Sequence, residues 1–102
     1  MQIKAGRSVL AAGSKHCFRH LAVMPPASGK RVSHLIVGTE DSSELLVLSL
    51  PGLALVHSHV IEGMQLIGMA ADPFGKALVV HDFISKAFNI LAWPLPGMPP
   101  LK

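Results

Sequence analysis

Cysteine is all but missing from this chain: Cys17 stands alone among 102 residues. A single thiol closes no intrachain disulfide and builds no cysteine-rich metal framework, so it counts as a small apolar side chain in a reduced, cytoplasmic compartment. There is no tyrosine, and the aromatics are four phenylalanines and one tryptophan. They do not alternate with basic residues, so a stacking platform for single-stranded nucleic acid lacks its parts. Charge is sparse, at 15% of residues against about a quarter in ordinary domains, so some apolar surface expects a partner. Acid is absent from residues 1–39, which hold Lys4, Arg7, Lys15, Arg19, Lys30 and Arg31, whereas residues 40–102 hold every acid. Those bases are scattered singly apart from Lys30-Arg31, which fits a solvated rim better than a nucleic-acid or lipid patch.

Long hydrophobic runs are lacking too. Leu45–Val56 is the greasiest stretch, but Pro51-Gly52 interrupts it and it falls well short of the roughly 20 residues of a membrane span. Val9–Ala12 is too short for the apolar core of a secretory signal. The basic, acid-free first third shares the composition of a mitochondrial transit peptide, yet its residues match a later stretch of the chain and so read as structural.

What the chain does have is a repeat. Leu21–Lys30 aligns with Ile67–Lys76, and after Arg31 to Ser33 the stretch His34–Gly52 aligns with Ala77–Gly97. Each copy runs from a strand through a Pro-containing turn ending in Gly-Lys, an apolar strand, a polar turn and a further apolar strand, to Leu-Pro-Gly. Pro and Gly recur too often for helices of average length, about 11 residues. The expected strands are Arg7–Ala12, Phe18–Val23, His34–Gly38 and Glu44–Leu50 in a first unit spanning 7–52. Their counterparts are Leu53–Ser58, Leu66–Ala70, Ala77–His81 and Ala87–Trp93 in a second unit spanning 53–97. Within each unit the first strand is expected outermost and the second innermost. The near-continuous apolar strands suit sheets packed on both faces, and Pro51 and Pro94 end their strands because they cannot donate to a ladder. The tail 94–102 is Pro-rich and expected to be extended, a connector leading onward.

A period near 45 residues built from four short strands is the pattern of β-propeller blades. The succession Asp72-Pro73-Phe74-Gly75-Lys76, then Ala77-Leu78-Val79-Val80, then Ser85-Lys86-Ala87-Phe88-Asn89-Ile90-Leu91 resembles the repeats of NHL, YVTN and WD-type propellers. The first unit has Pro-Pro-Ala-Ser where the second has Asp-Pro-Phe, and a strict WD repeat's Trp-Asp ending is missing. The resemblance covers roughly residues 7–97. It implies an all-β fold of two antiparallel four-stranded blades, an incomplete ring, since closed rings hold typically four to eight blades.

Candidate chemistry is thin. His57 and His59 stand two apart on a strand and so share a face, as two zinc ligands would, but no third ligand is near in sequence. His16-Cys17-x-x-His20 would bring its imidazoles together only on a helix. His81, Asp82 and Ser85 hold the residue types of a hydrolase triad, whose members come from separate converging elements rather than one turn; Asp82 fits better as a turn former that accepts from backbone amides. Glu40, Asp41 and Glu44 lack the spacing of a calcium loop, and Gly63 to Gly68 lacks the Gly-Lys-Ser/Thr sequel of a phosphate loop. No catalytic, cofactor-binding or metal-binding residue is assigned, and no cofactor is expected.

The expected function is that of a non-enzymatic protein-interaction module, a propeller segment whose rim loops give specificity. Its partners would be proteins or further blades, with neither nucleic acid nor membrane involved, and the isolated chain is expected to self-associate through uncovered edges and faces. Two alternatives stand beside it. One is a fragment of a lactonase-like or quinoprotein-like propeller enzyme, for which the inner strands offer only Arg19 and His20. The other is a truncated reading frame without independent function.

Overall fold

The computed structural model describes residues 18–39 and 43–102. Among them the fold is all-β: two antiparallel sheets and no helix. Sheet 1 is a meander of β1 (Phe18–Met24), β2 (His34–Thr39), β3 (Glu44–Ser49) and β4 (Ala54–Val60), each strand pairing with the next. Sheet 2 repeats the plan with β5 (Leu66–Ala71), β6 (Ala77–Asp82) and β7 (Phe88–Ala92).

The strand between the two repeats is where expectation and structure part. Leu53–Ser58 was expected to open the second unit, but β4 pairs with β3, Leu45 opposite His59 and Val47 opposite His57. It is therefore the last strand of sheet 1. The physical reason is the brevity of the Leu50–Leu53 turn, which delivers the chain straight back along β3, the usual outcome of a short connection between strands. Sheet 2 consequently has three strands among the described residues, not four. The other outer strand expected, Arg7–Ala12, lies outside the described residues.

The pairings also adjust the repeat alignment. Leu35 faces Leu48 and Leu78 faces Leu91, while Ile36 faces Val47 and Val79 faces Ile90. Leu50-Pro51 thus matches Trp93-Pro94, both cis peptide bonds, rather than the later Leu-Pro-Gly at Leu95-Pro96-Gly97. In the first strands, both sheets carry one extra residue at the same place, Arg19 between Phe18 and His20 in β1 and Ile67 between Leu66 and Gly68 in β5. That bulge pairs His20 with Gly68 and Ala22 with Ala70, two positions away from the sequence alignment. Because a strand alternates faces with a period of two, this shift leaves every side chain on the face that the alignment gave it.

Each sheet has a front, carrying Leu35 and Val37 in sheet 1 and Leu78 and Val80 in sheet 2. The front of sheet 2 packs on the back of sheet 1. The resulting core joins Met24, Ile36, Leu45 and Val47 from one side with Leu66, Leu78 and Val80 from the other. The sheets approach most closely along β1 and β5. Gly38 gives Leu66 its room at that seam, because a Cβ there would overlap the terminal methyl of Leu66 and oblige that side chain to move. A smaller apolar cluster of Leu35, Val37 and Leu48 forms on the front of sheet 1, with Leu46, Leu50 and Leu53 against it.

The Pro-rich tail does not lead away. Leu95 is fully buried in the core, with Met98 and Leu101 packed beside it, and the Lys102 carbonyl accepts hydrogen bonds from the Arg31 and Val32 amides. The apolar residues set between its prolines explain this: Leu95, Met98 and Leu101 gain by burial, which a solvated connector would forgo.

Candidate interaction surface

Among the described residues two apolar faces are left uncovered: the front of sheet 1, where Leu21, Val23 and Leu55 are exposed, and, with larger side chains, the back of sheet 2. Two cross-strand rows lie on it: Ala70, Val79 and Ile90, then Gly68, His81 and Phe88. Their counterparts on the back of sheet 1 are Ala22, Ile36 and Val47, then His20, Gly38 and Leu45. Leu45 and Val47 are 0% exposed, whereas Phe88 is 68% and Ile90 75% exposed. The His81 ring stacks on Phe88 with centroids 4.3 Å apart and planes 19° from parallel, beside a shallow depression of about 140 Å3 lined by Gly68, Ala70 and Val79. Phe83 and Ile84, in the turn that follows β6, add further exposed apolar surface next to it.

Asp82 sets the shape of that turn. Its carboxylate accepts from the Gln65 amide at 2.9 Å, the Ile84 amide at 3.0 Å and the Ser85 amide at 3.1 Å. Bonds from the Gln65 amide and from Ser85 hold its carboxyl down at about 2, because amides that donate to a carboxylate favour its charged form. Asp82 and Ser85 are thus joined through the Ser85 amide in one turn, and the Ser85 hydroxyl accepts from the Ala87 amide. The His81 ring meanwhile lies on Phe88, so the three residue types do not converge as a triad.

The histidine pair on β4 does come together. The His57 and His59 rings lie 6.0 Å apart on the margin of the core face of sheet 1. Burial, and then the neighbouring His57, lower the His59 pKa, the direction that two imidazoles resisting a shared positive charge must take. Among the described residues no third His, Cys, Asp or Glu joins them to make a metal-holding group. His20 sits on β1 just past the bulge, while His16 and Cys17 lie outside the described residues. Glu40 and Asp41 lie outside them as well; Glu44 opens β3 and accepts a hydrogen bond from the Ser58 hydroxyl. Gly63 belongs to a turn at φ +73° and Gly68 to β5, so the two do not form one loop.

One site was not foreseen. At the end of the molecule where the tail returns, a cavity of about 390 Å3 is lined by Val32, His34, Leu50, Val56, Met98 and Lys102. His34 is buried, its ring set edge-on to Trp93 at 5.4 Å, and its Nδ1 has no hydrogen-bond partner. Burial lowers its pKa, so the ring is neutral at pH 7. Only the tail's return creates this enclosure, and no spacing in the sequence announces it. Among the described residues no helix is long and apolar enough to cross a membrane. Comparison with protein-family models, with curated proteins and with solved structures finds no match.

Proposed function

We propose that the chain is a non-enzymatic protein-interaction module, a β-propeller segment of two blades resembling NHL and WD-type repeats and serving as a binding scaffold. One observation carries this reading: two sheets with the same bulge and the same pairings stack front to back, in the same sense. Two sheets stacked front to back leave one back uncovered for a further sheet; such heterologous contacts continue into rings where the rotation closes and into open arrays where it does not. The uncovered back is the Ile90 and Phe88 face. An exposed apolar face of this kind marks an interaction site more often than it does a bare surface. Against catalysis, the polar groups that come together at Asp82 serve the turn itself.

The reading is tested on the transcript and on the protein. Further units of about 45 residues are expected in frame beside this one, and oxidative footprinting of the endogenous protein should find Phe88 protected. A transcript with no such unit in any frame, together with a freely oxidised Phe88, removes the reading.

A further inference from the structure

The free edge of sheet 2 carries more information than its face. In sheet 1, β3 is an interior strand flanked by β2 and β4; among the described residues its counterpart β7 is flanked by β6 alone. The Trp93 amide donates to the Lys76 carbonyl, and the Ala87 carbonyl accepts from Asp82. Odd-numbered residues of β7 therefore turn their backbone groups toward β6. By the alternation of an antiparallel ladder, Phe88, Ile90 and Ala92 turn their amides and carbonyls outward.

Among the described residues this edge has none of the usual protection. Phe88–Ala92 reads Phe-Asn-Ile-Leu-Ala, without charge, proline or glycine, whereas lysines, prolines and bulges are the usual guards of an open edge. The β4 edge bears His57 and His59 and a bulge; β1 bears Arg19, His20 and a bulge and lies along β5.

From this we infer that β7 is a dimerisation edge, and that its occupant is β7 of a second copy of this chain. An antiparallel edge is self-complementary about a two-fold axis. With the axis at Ile90, each Ile90 faces its own image, and Phe88 faces Ala92 of the second copy. These are the three residues whose amides and carbonyls point outward, so all of them pair in register. Lys86, the nearest charge, falls opposite Pro94 of the second copy, so no like charges meet. The product is a continuous six-stranded sheet with the Ile90 rows of both copies side by side on one face. A second copy's own front fits the back of sheet 2 poorly, because its Leu66 would meet His81, stacked on Phe88, where sheet 1 offers Gly38; a further blade of different sequence is not so constrained. The inference rests on the interaction-module reading for the kind of partner, and not on the propeller reading.

Analytical ultracentrifugation of the full chain decides it, with a dimer expected at roughly 10–100 μM, the range of a modest interface. Ile90→Pro removes an outward amide and leaves the β6 ladder intact, so it should raise the dimer dissociation constant at least about tenfold, equivalent to about 1.4 kcal/mol, with an unchanged far-ultraviolet spectrum. Ala92→Pro should act likewise, a second variant in case the first disturbs the sheet. In the wild-type dimer, hydrogen exchange at Phe88, Ile90 and Ala92 should slow with rising protein concentration while β4 amides do not change. A monomer throughout that range overturns the inference. So does an association that survives both proline variants but is lost in Phe88→Glu, which would signify face stacking. A monomer whose Phe88 is nevertheless protected in the endogenous protein rejects the dimer alone and leaves the interaction-module reading standing.

Discussion

Sheets 1 and 2 are built to one plan and end in opposite surroundings. Val47 and Ile90 occupy equivalent places on the backs of β3 and β7, yet one is wholly enclosed and the other three-quarters exposed. The same holds for Leu45 and Phe88. The pattern of apolar residues in a repeat therefore records what its faces are made to meet, and among the described residues only one of the two backs meets it.

The comparison can be broken most sharply at these equivalent pairs. Leu45→Ala should cost about 2–5 kcal/mol, the range for truncating an enclosed leucine, whereas Ile90→Ala should stay within about 0.5 kcal/mol, as at other exposed positions. Urea melts of both variants read this directly; equal losses would mean that the back of sheet 2 is covered in solution.

The turns offer a second contrast. Gly29 and Gly75 close equivalent turns at φ +78° and +71°, but a Cβ on Gly29 would meet open space while one on Gly75 would lie 2.9 Å from the Pro25 carbonyl oxygen. Gly29→Ala should cost only the left-handed conformation, about 1–2 kcal/mol. Gly75→Ala should cost more than that, because the β1–β2 loop must also shift. Thermal melts that rank them the other way would show that the two turns do not pack together.

Acid should separate the sheets more gently. His34, whose counterpart is Ala77, has a pKa lowered by burial. The unfolded chain then takes up its proton more readily, so stability is complete above pH 6.5 and declines as pH falls below it. Asp82, whose counterpart is Thr39, has its carboxyl held at about 2 against an ordinary 3.8. Its contribution is present above pH 3.8 and disappears as pH falls toward 2. Asp82→Asn should flatten the lower of these two declines and His34→Gln the upper one, in stability measured against pH. Trp93, the only tryptophan, reports the His34 step through its fluorescence, since the two rings touch.

Much of this could be read from residues alone. Alternating and continuous apolar runs punctuated by Pro and Gly were enough for all seven described strands, to within a residue or two at their ends, and Asp82 was legible as a turn former. The association of Leu53–Ser58 with the second unit was not, because a strand's own residues fix its tendency to pair and not the neighbour it finds. The cavity at His34 was equally hidden: Val32, His34, Val56 and Met98 are far apart in the chain and meet only where the tail folds back.

Local chemistry, then, determined the strands, the turns, the equivalence of the two repeats and the face on which each side chain stands, since these depend on backbone preferences and a two-residue alternation carried by neighbouring residues. The tertiary structure alone decided which face became core, which strand closed sheet 1 and, among the described residues, which edge stayed open. Those outcomes depend on long-range packing, where apolar faces of similar composition compete for a limited number of partners.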